Sequence, residues 1–167
     1  MSYKDNYEKR KYYGNDSERV LLDYCKEQKI RYANFGVEPY LDNNEFSYKH
    51  PNYRHMDNRL KKQPDYIINA KDDIVFVECK GSGVNENLEY VVRLKEKDIN
   101  GYVYWQNFRP TYIFIAYNFN KSKILISLNK IIETMHLAEQ EEYPDNKMKY
   151  RTIKIKDIID YDRITIL

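Results

Sequence analysis

Pro64 to Lys80 reads PDYIINAKDDIVFVECK, and the fold depends on how these residues pair. Two β-rich runs, Tyr66 to Ala70 and Ile74 to Val77, flank a polar Lys71-Asp72-Asp73 corner, which is the pattern of a β-hairpin. A turn centred between Lys71 and Asp72 sets residue 65 opposite residue 78, so Asp65 and Glu78 face each other at the open end. Side chains alternate along a strand, so Lys80 leaves from the same face as Glu78 and Asp65. Ile67, Ile68, Val75, Phe76 and Val77 are apolar enough for burial on both faces. Two carboxylates and an ammonium therefore converge at the end of a strand that is otherwise core.

Before the hairpin, Asp16 or Ser17 opens a helix with Val20, Leu21, Tyr24 and Cys25 on its apolar stripe, ending near Gln28. Ile30 to Tyr40 reads as extended structure broken at Gly36, with Val37 and Tyr40 facing inward and Glu38-Pro39 limiting it to a strand end. Residues 41 to 62 form a long polar connection that is basic towards its end, a candidate substrate-facing loop. After the hairpin, Gly81-Ser82-Gly83 is a flexible elbow, Leu88 to Leu94 a strand, and Glu96 to Asn107 a helix carrying Ile99, Tyr102, Val103 and Trp105, with a continuous helix from Asn87 as the alternative. Thr111 to Tyr117 is a central strand and Ile124 to Leu128 another. Asn129 caps a helix running to about Leu137. Ala138 to Asn146 is an acidic loop, and short segments follow around Arg151 to Ile155 and Ile164 to Leu167. This order predicts an α/β (α+β) fold with a mixed sheet flanked by helices.

The 167 residues suit one domain, with residues 1 to 13 read as a flexible polar arm. Charged residues make up 32% but the net charge is only +2, so DNA contact must come from local patches rather than a global basic field. The 18 tyrosines are not read as a stacking platform, and Trp105 with Tyr102 reads as core. Cys25 and Cys79 lack metal or disulfide spacing, which fits a reducing cytoplasm. His50, His55 and His136 show no ligand spacing either. No run reaches transmembrane length, and Met1 to Lys11 is unlike a signal peptide, so a soluble cytoplasmic protein without membrane contact is expected.

Asp65 and Glu78, with the Cys79 backbone carbonyl between Glu78 and Lys80, supply hard oxygen ligands of the kind Mg²⁺ takes alongside water and phosphate oxygen. Lys80 is placed to orient a water and to stabilise charge in phosphodiester hydrolysis. At Pro64-Asp65 and Glu78-Cys79-Lys80 the chain resembles the PD-(D/E)xK nuclease superfamily of restriction enzymes, Holliday-junction resolvases and phage-type nucleases. The resemblance implies a restriction-endonuclease-like α-β-β-β-α-β core and Mg²⁺-dependent DNA cleavage, with Mn²⁺ as a substitute. It implies metal binding by Asp65 and Glu78 and a catalytic Lys80. Glu18 is the position that looks like the acidic residue many members add from the first helix. Lys95, Lys97 and Gln106 compete for a further backbone contact, and Arg54, Arg59, Lys61 and Lys62 form a basic run that could grip phosphates. The expected activity is a DNA endonuclease with structure-selective or weakly sequence-specific cutting. A nuclease-fold protein that binds DNA or a protein partner without cutting is the alternative, and RNA as the substrate is a third reading. Symmetric cutting would require a homodimer.

Overall fold

The structure is a computed structural model that describes residues 16–35, 56–71, 73–81, 83–84, 89–117, 122–143 and 147–158. The arm over residues 1–13, Val37, Tyr40, His50, Arg54, His55 and the segment 164–167 lie outside the described residues. A first helix, α1, spans 16–27. Strands β1 (Tyr32–Asn34), β2 (Tyr66–Asn69) and β3 (Ile74–Gly81) follow, with a 3-10 turn at Leu60–Lys62 leading into β2. The crossover comprises β4 (Gly83–Val84), β5 (Tyr90–Lys95) and α2 (Glu96–Gln106). It returns to β6 (Thr111–Tyr117) and β7 (Ser122–Ser127), before α3 (Leu128–Glu133), β8 (Glu139–Tyr143) and β9 (Met148–Lys154).

The hairpin register is the one expected. Tyr66 pairs with Val77, Ile67 with Phe76, Ile68 with Val75 and Asn69 with Ile74, which extrapolates to Asp65 opposite Glu78. The Asp73 carboxylate accepts the Ile74 N–H at 2.7 Å and holds the corner. β3 then runs parallel to β6, and β6 antiparallel to β7, giving a five-stranded mixed sheet in the order β1-β2-β3-β6-β7.

Period-two alternation along β6 splits the core into two layers. Phe114 and Ala116 join Leu21 and Cys25 of α1 with Ile68, Val75 and Val77 on one face. Ile113 and Ile115 join Val92, Leu94, Tyr102, Leu128, Ile131 and Ile153 on the other. Each fully buried aliphatic side chain contributes about 1.5–3 kcal/mol. β3 is buried from Val75 through Cys79, so Glu78 belongs to the core and not to a rim.

Four expectations are corrected. The strand expected over Leu88 to Leu94 is β5, but it leaves the main sheet to pair with β9 in a second, antiparallel sheet ordered β4-β5-β9-β8. Gly81 and Gly83 carry the chain from one sheet to the other, so the glycine-rich stretch is a sheet switch and not an open elbow. The acidic segment expected to be a loop is strand β8, because its carboxylates meet basic partners. Glu142 lies opposite Lys149, and Glu141 bridges Arg93 at 3.2 Å. Ser127, not Asn129, is the N-cap of α3, and that helix stops at Glu133. There the Thr134 hydroxyl bonds back to the Lys130 carbonyl at 2.8 Å, and the chain continues as a 3-10 turn through Leu137.

Both cysteines are free and buried, and burial pushes the Cys25 thiol up to about 11. No helix among the described residues is long and apolar enough to cross a membrane.

α2 makes its closest approach to the 3-10 turn at Gly101. A Cβ there would overlap Lys62 Cβ and lie 2.8 Å from Lys62 Cγ, at the root of that side chain. Helix propensity alone favours Gly101→Ala by up to about 1 kcal/mol. The overlap forces the Leu60–Lys62 turn off the helix, at about 1–3 kcal/mol. Net of the propensity gain the cost is up to about 2 kcal/mol, so Gly101→Ala should lower the melting temperature by up to about 8 °C in a thermal melt, at about 2–4 °C per kcal/mol. A melting temperature at or above wild type would show that the turn does not pack on α2 as described.

Candidate active site

The first residue of the site is fixed by the end of β2. Asp65 precedes the strand, and its carbonyl accepts the Phe35 N–H at 2.8 Å, which ties it to the end of β1. Cys79 has outrun its ladder partner at this point. Its N–H donates instead to Asp65 Oδ2 at 2.7 Å, and this fixes the carboxylate against β3.

Glu78 is 6% exposed. Such a carboxylate must be paired, and two donors meet it on one oxygen. The Tyr102 hydroxyl donates to Glu78 Oε1 at 2.7 Å, and the Lys80 ammonium contacts the same oxygen. Lys80 also donates to the Tyr102 hydroxyl at 2.7 Å, closing a three-membered ring. Glu18 arrives from α1, where it accepts the Tyr66 hydroxyl at 3.2 Å. Asp65, Glu78 and Lys80 are thus brought together at the start of β2 and the end of β3, while Glu18 contacts Tyr66 and its charge reaches Asp65 only weakly.

The electrostatics follow from crowding like charges in a desolvated place. Burial, then the Glu78 carboxylate and to a lesser extent Glu18, push the Asp65 carboxyl well above its ordinary range. The Lys80 ammonium and the Cys79 amide oppose the rise. Burial works against the charged form of Lys80, but Glu78, Tyr102 and Asp65 beside it hold the ammonium well above its usual value. Burial and Glu78 likewise raise the Tyr102 phenol, which keeps its proton.

The remaining predicted residues separate. Arg59 is bound to Asp57 at 2.7 Å and lies over the Tyr104 ring, and its hydrogen bond holds the Asp57 carboxyl at about 2. Lys62 pairs with the buried Asp98 at 2.6 Å, and Lys61 lies in the same turn. Gln106 bonds Asn129 of α3. Lys97 is exposed. Lys95 is half-buried beside Lys80, Lys62 and Lys97; burial lowers its pKa and those neighbours add to the fall, against Asp98. Of the three candidates after the motif, Lys95 is the one whose charge is felt with that of Lys80. Trp105 packs edge-on against Phe35 and Phe76, and its indole donates to the Arg59 carbonyl at 2.9 Å, a packing role as expected.

Tyr102 is the site residue that sequence reasoning misses. It sits in the apolar stripe of α2, where a tyrosine reads as core. Only the crossover geometry, which drapes α2 over the end of β3, brings its hydroxyl to Glu78.

Among the described residues no group of three or more His, Cys, Asp or Glu side chains is arranged to hold a metal ion. Mg²⁺ asks less of a protein, taking one or two carboxylates with water completing its shell. The donor set fits that demand. Asp65 Oδ1 and Glu78 Oε2 accept no hydrogen bond among the described residues, because the partners of both side chains lie on the other oxygen.

The raised Asp65 pKa has a stability consequence with a definite sign. An acid whose folded pKa lies above its unfolded value, about 3.9, favours the fold below that value, and the contribution is lost as pH rises through the folded pKa. In chelator, Asp65→Asn should melt above wild type at pH 8, and the difference should shrink towards pH 4. A variant melting below wild type at pH 8 would contradict the burial of a crowded carboxylate.

Among solved structures, the Holliday junction resolvase Hjc of Archaeoglobus fulgidus is similar to this chain. Its TM-score is 0.51 at 12% identity, over 90% of this chain and 91% of its own. A nuclease from a fusselovirus aligns with a TM-score of 0.47 at 12% identity, over 89% of this chain and 83% of its own. No family model and no curated protein sequence matches the chain. At such identity the likeness to the resolvase speaks for the fold. The five-stranded mixed sheet between helices, with the hairpin that carries Asp65, Glu78 and Lys80, is the fold that the chain shares with that resolvase.

Proposed function

We propose that the chain is a metal-dependent DNA endonuclease with structure-selective or weakly sequence-specific cutting. The observation that carries this reading is the meeting of Asp65, Glu78 and Lys80 at the end of β3, within a fold that is similar to a junction resolvase. Asp65 and Glu78 would hold Mg²⁺ or Mn²⁺ through their free oxygens, with the Cys79 carbonyl and Glu18 as further oxygen donors. When bound, the cation supplies polarisation of the phosphodiester, acidification of water and compensation of charge on the leaving oxygen.

The protein side of the reaction follows from the pairings. Asp65 is locked by the Cys79 amide, so its second oxygen stays fixed in direction. Lys80 keeps its charge and stands beside both acids, where it can orient the attacking water and meet negative charge growing on the phosphoryl oxygens. Lys95, half-buried and in no ion pair among the described residues, is the cation best suited to a neighbouring phosphate. Arg59 and Lys62 are already paired with Asp57 and Asp98, which favours a structural role for them over a direct grip on DNA. Symmetric cuts would require a homodimer.

The test is a cleavage panel in Mg²⁺ or Mn²⁺ on linear duplex, nicked, single-stranded, flap and four-way junction DNA. Lys80→Ala and Asp65→Ala should each lower cleavage by about 10²–10³ or more while DNA binding persists. Lys95→Ala should weaken binding evenly across sequences and reduce the salt slope by about 1. Cleavage by both Lys80→Ala and Asp65→Ala at the wild-type rate would sink the reading. Binding without cutting of any DNA form would favour a non-cutting nuclease-fold protein.

A further inference from the structure

We propose that Tyr102 is a positioning residue of this centre. Its hydroxyl fixes Glu78 and Lys80 together, which would leave Glu78 Oε2 to hold a cation and one Lys80 N–H to orient water. The inference rests on the nuclease reading above and concerns a residue outside the motif, on the crossover helix.

The stoichiometry of donors and acceptors carries it. A phenol has one proton to give and lone pairs to accept with, and Tyr102 uses both: it donates to Glu78 Oε1 and accepts from Lys80, each at 2.7 Å. An ammonium has three donors and no acceptor. Two of those on Lys80 are committed, to Glu78 and to Tyr102, which fixes rotation about the terminal C–N bond and aims the third. Oε1 of Glu78 receives two donors, and Oε2 receives none among the described residues. The carboxylate is thereby oriented for binding through a single oxygen.

Without the hydroxyl, one contact to Lys80 remains, and both side chains gain freedom to rotate. The ring itself cannot drift. Tyr102 is 2% exposed, packed in the same layer as Val92, Leu94 and Ile113, and the next residue back, Gly101, lies against Lys62. The hydroxyl is therefore delivered by a rigid element, as a supporting partner to a metal-binding carboxylate should be.

Tyr102→Phe keeps the ring and removes only the hydroxyl. On the best substrate of the cleavage panel it should lower kcat about 10- to 100-fold with KM for DNA unchanged. It should also raise the Mn²⁺ concentration for half-maximal thermal stabilisation several-fold, in a melt containing no DNA. Ile153→Val in the same core layer serves as the control: it costs about 1 kcal/mol of stability and should leave kcat and the Mn²⁺ midpoint where they were. Wild-type kcat and Mn²⁺ midpoint in Tyr102→Phe would overturn the inference and leave the nuclease reading standing. So would a loss confined to KM, or one equalled by Ile153→Val. A Tyr102→Phe protein that does not fold would also overturn it, since Lys80 still meets Glu78 and losing the hydroxyl should cost only about 1–3 kcal/mol. A wild-type chain that cuts no DNA would remove the nuclease reading and this inference with it.

Discussion

Glu78 is a carboxylate at the end of a core strand, and the arrangement around it answers the cost of burying charge. Left alone, such a group would be neutralised or would unfold its surroundings. Here it is met by an ammonium two residues along the same strand and by a phenol from the crossover helix. Both partners need the strand to stay straight and buried through Cys79, which β2 and β6 secure from either side. Asp65 enters on the same terms, held by the Cys79 N–H, which lies beyond the last β2 pair of Tyr66 with Val77. The hairpin register is the constraint beneath all of this. A slip of one residue would send Glu78 and Lys80 to the α1 face and bring Val77 and Cys79 to the α2 face.

The crossover helix serves that centre from one side and the approach to the hairpin from the other. Its buried side chains, Asp98 and Tyr102, point to different tasks: Asp98 anchors Lys62 in the turn before Pro64, and Tyr102 anchors Glu78 and Lys80. Gly101 between them permits the close approach. Trp105 adds a bond to the Arg59 carbonyl one turn further on. The residues leading into the motif and those ending it are therefore tied to the same helix. That arrangement explains why several basic residues near the motif are engaged within the protein.

The hairpin, its register and the strand at Thr111 to Tyr117 were legible because they rest on local rules: a polar corner between β-branched runs, and a continuous apolar stretch. The convergence of Asp65, Glu78 and Lys80 followed from the period of a strand. Glu18 is named only by the family resemblance, and its bond to the Tyr66 hydroxyl depends on packing of α1 that no local pattern specifies. The second sheet was not legible. The alternation in Leu88 to Leu94 marks a strand without naming its neighbour, and β8 hides behind an acidic composition that becomes favourable only opposite Lys149 and Arg93. Tyr102 was hidden for a related reason, since a tyrosine in an apolar stripe shows where its ring goes and not what its hydroxyl meets.

The proposed function requires a cation-binding centre at the end of β3, held by Asp65 and Glu78. Anomalous scattering from Mn²⁺ in crystals of the wild-type chain tests it most directly. The account predicts a peak about 2 Å from Asp65 and Glu78 carboxylate oxygens, with Lys80 outside the coordination shell. Crystals soaked in Mn²⁺ that show no peak between these two side chains would contradict it.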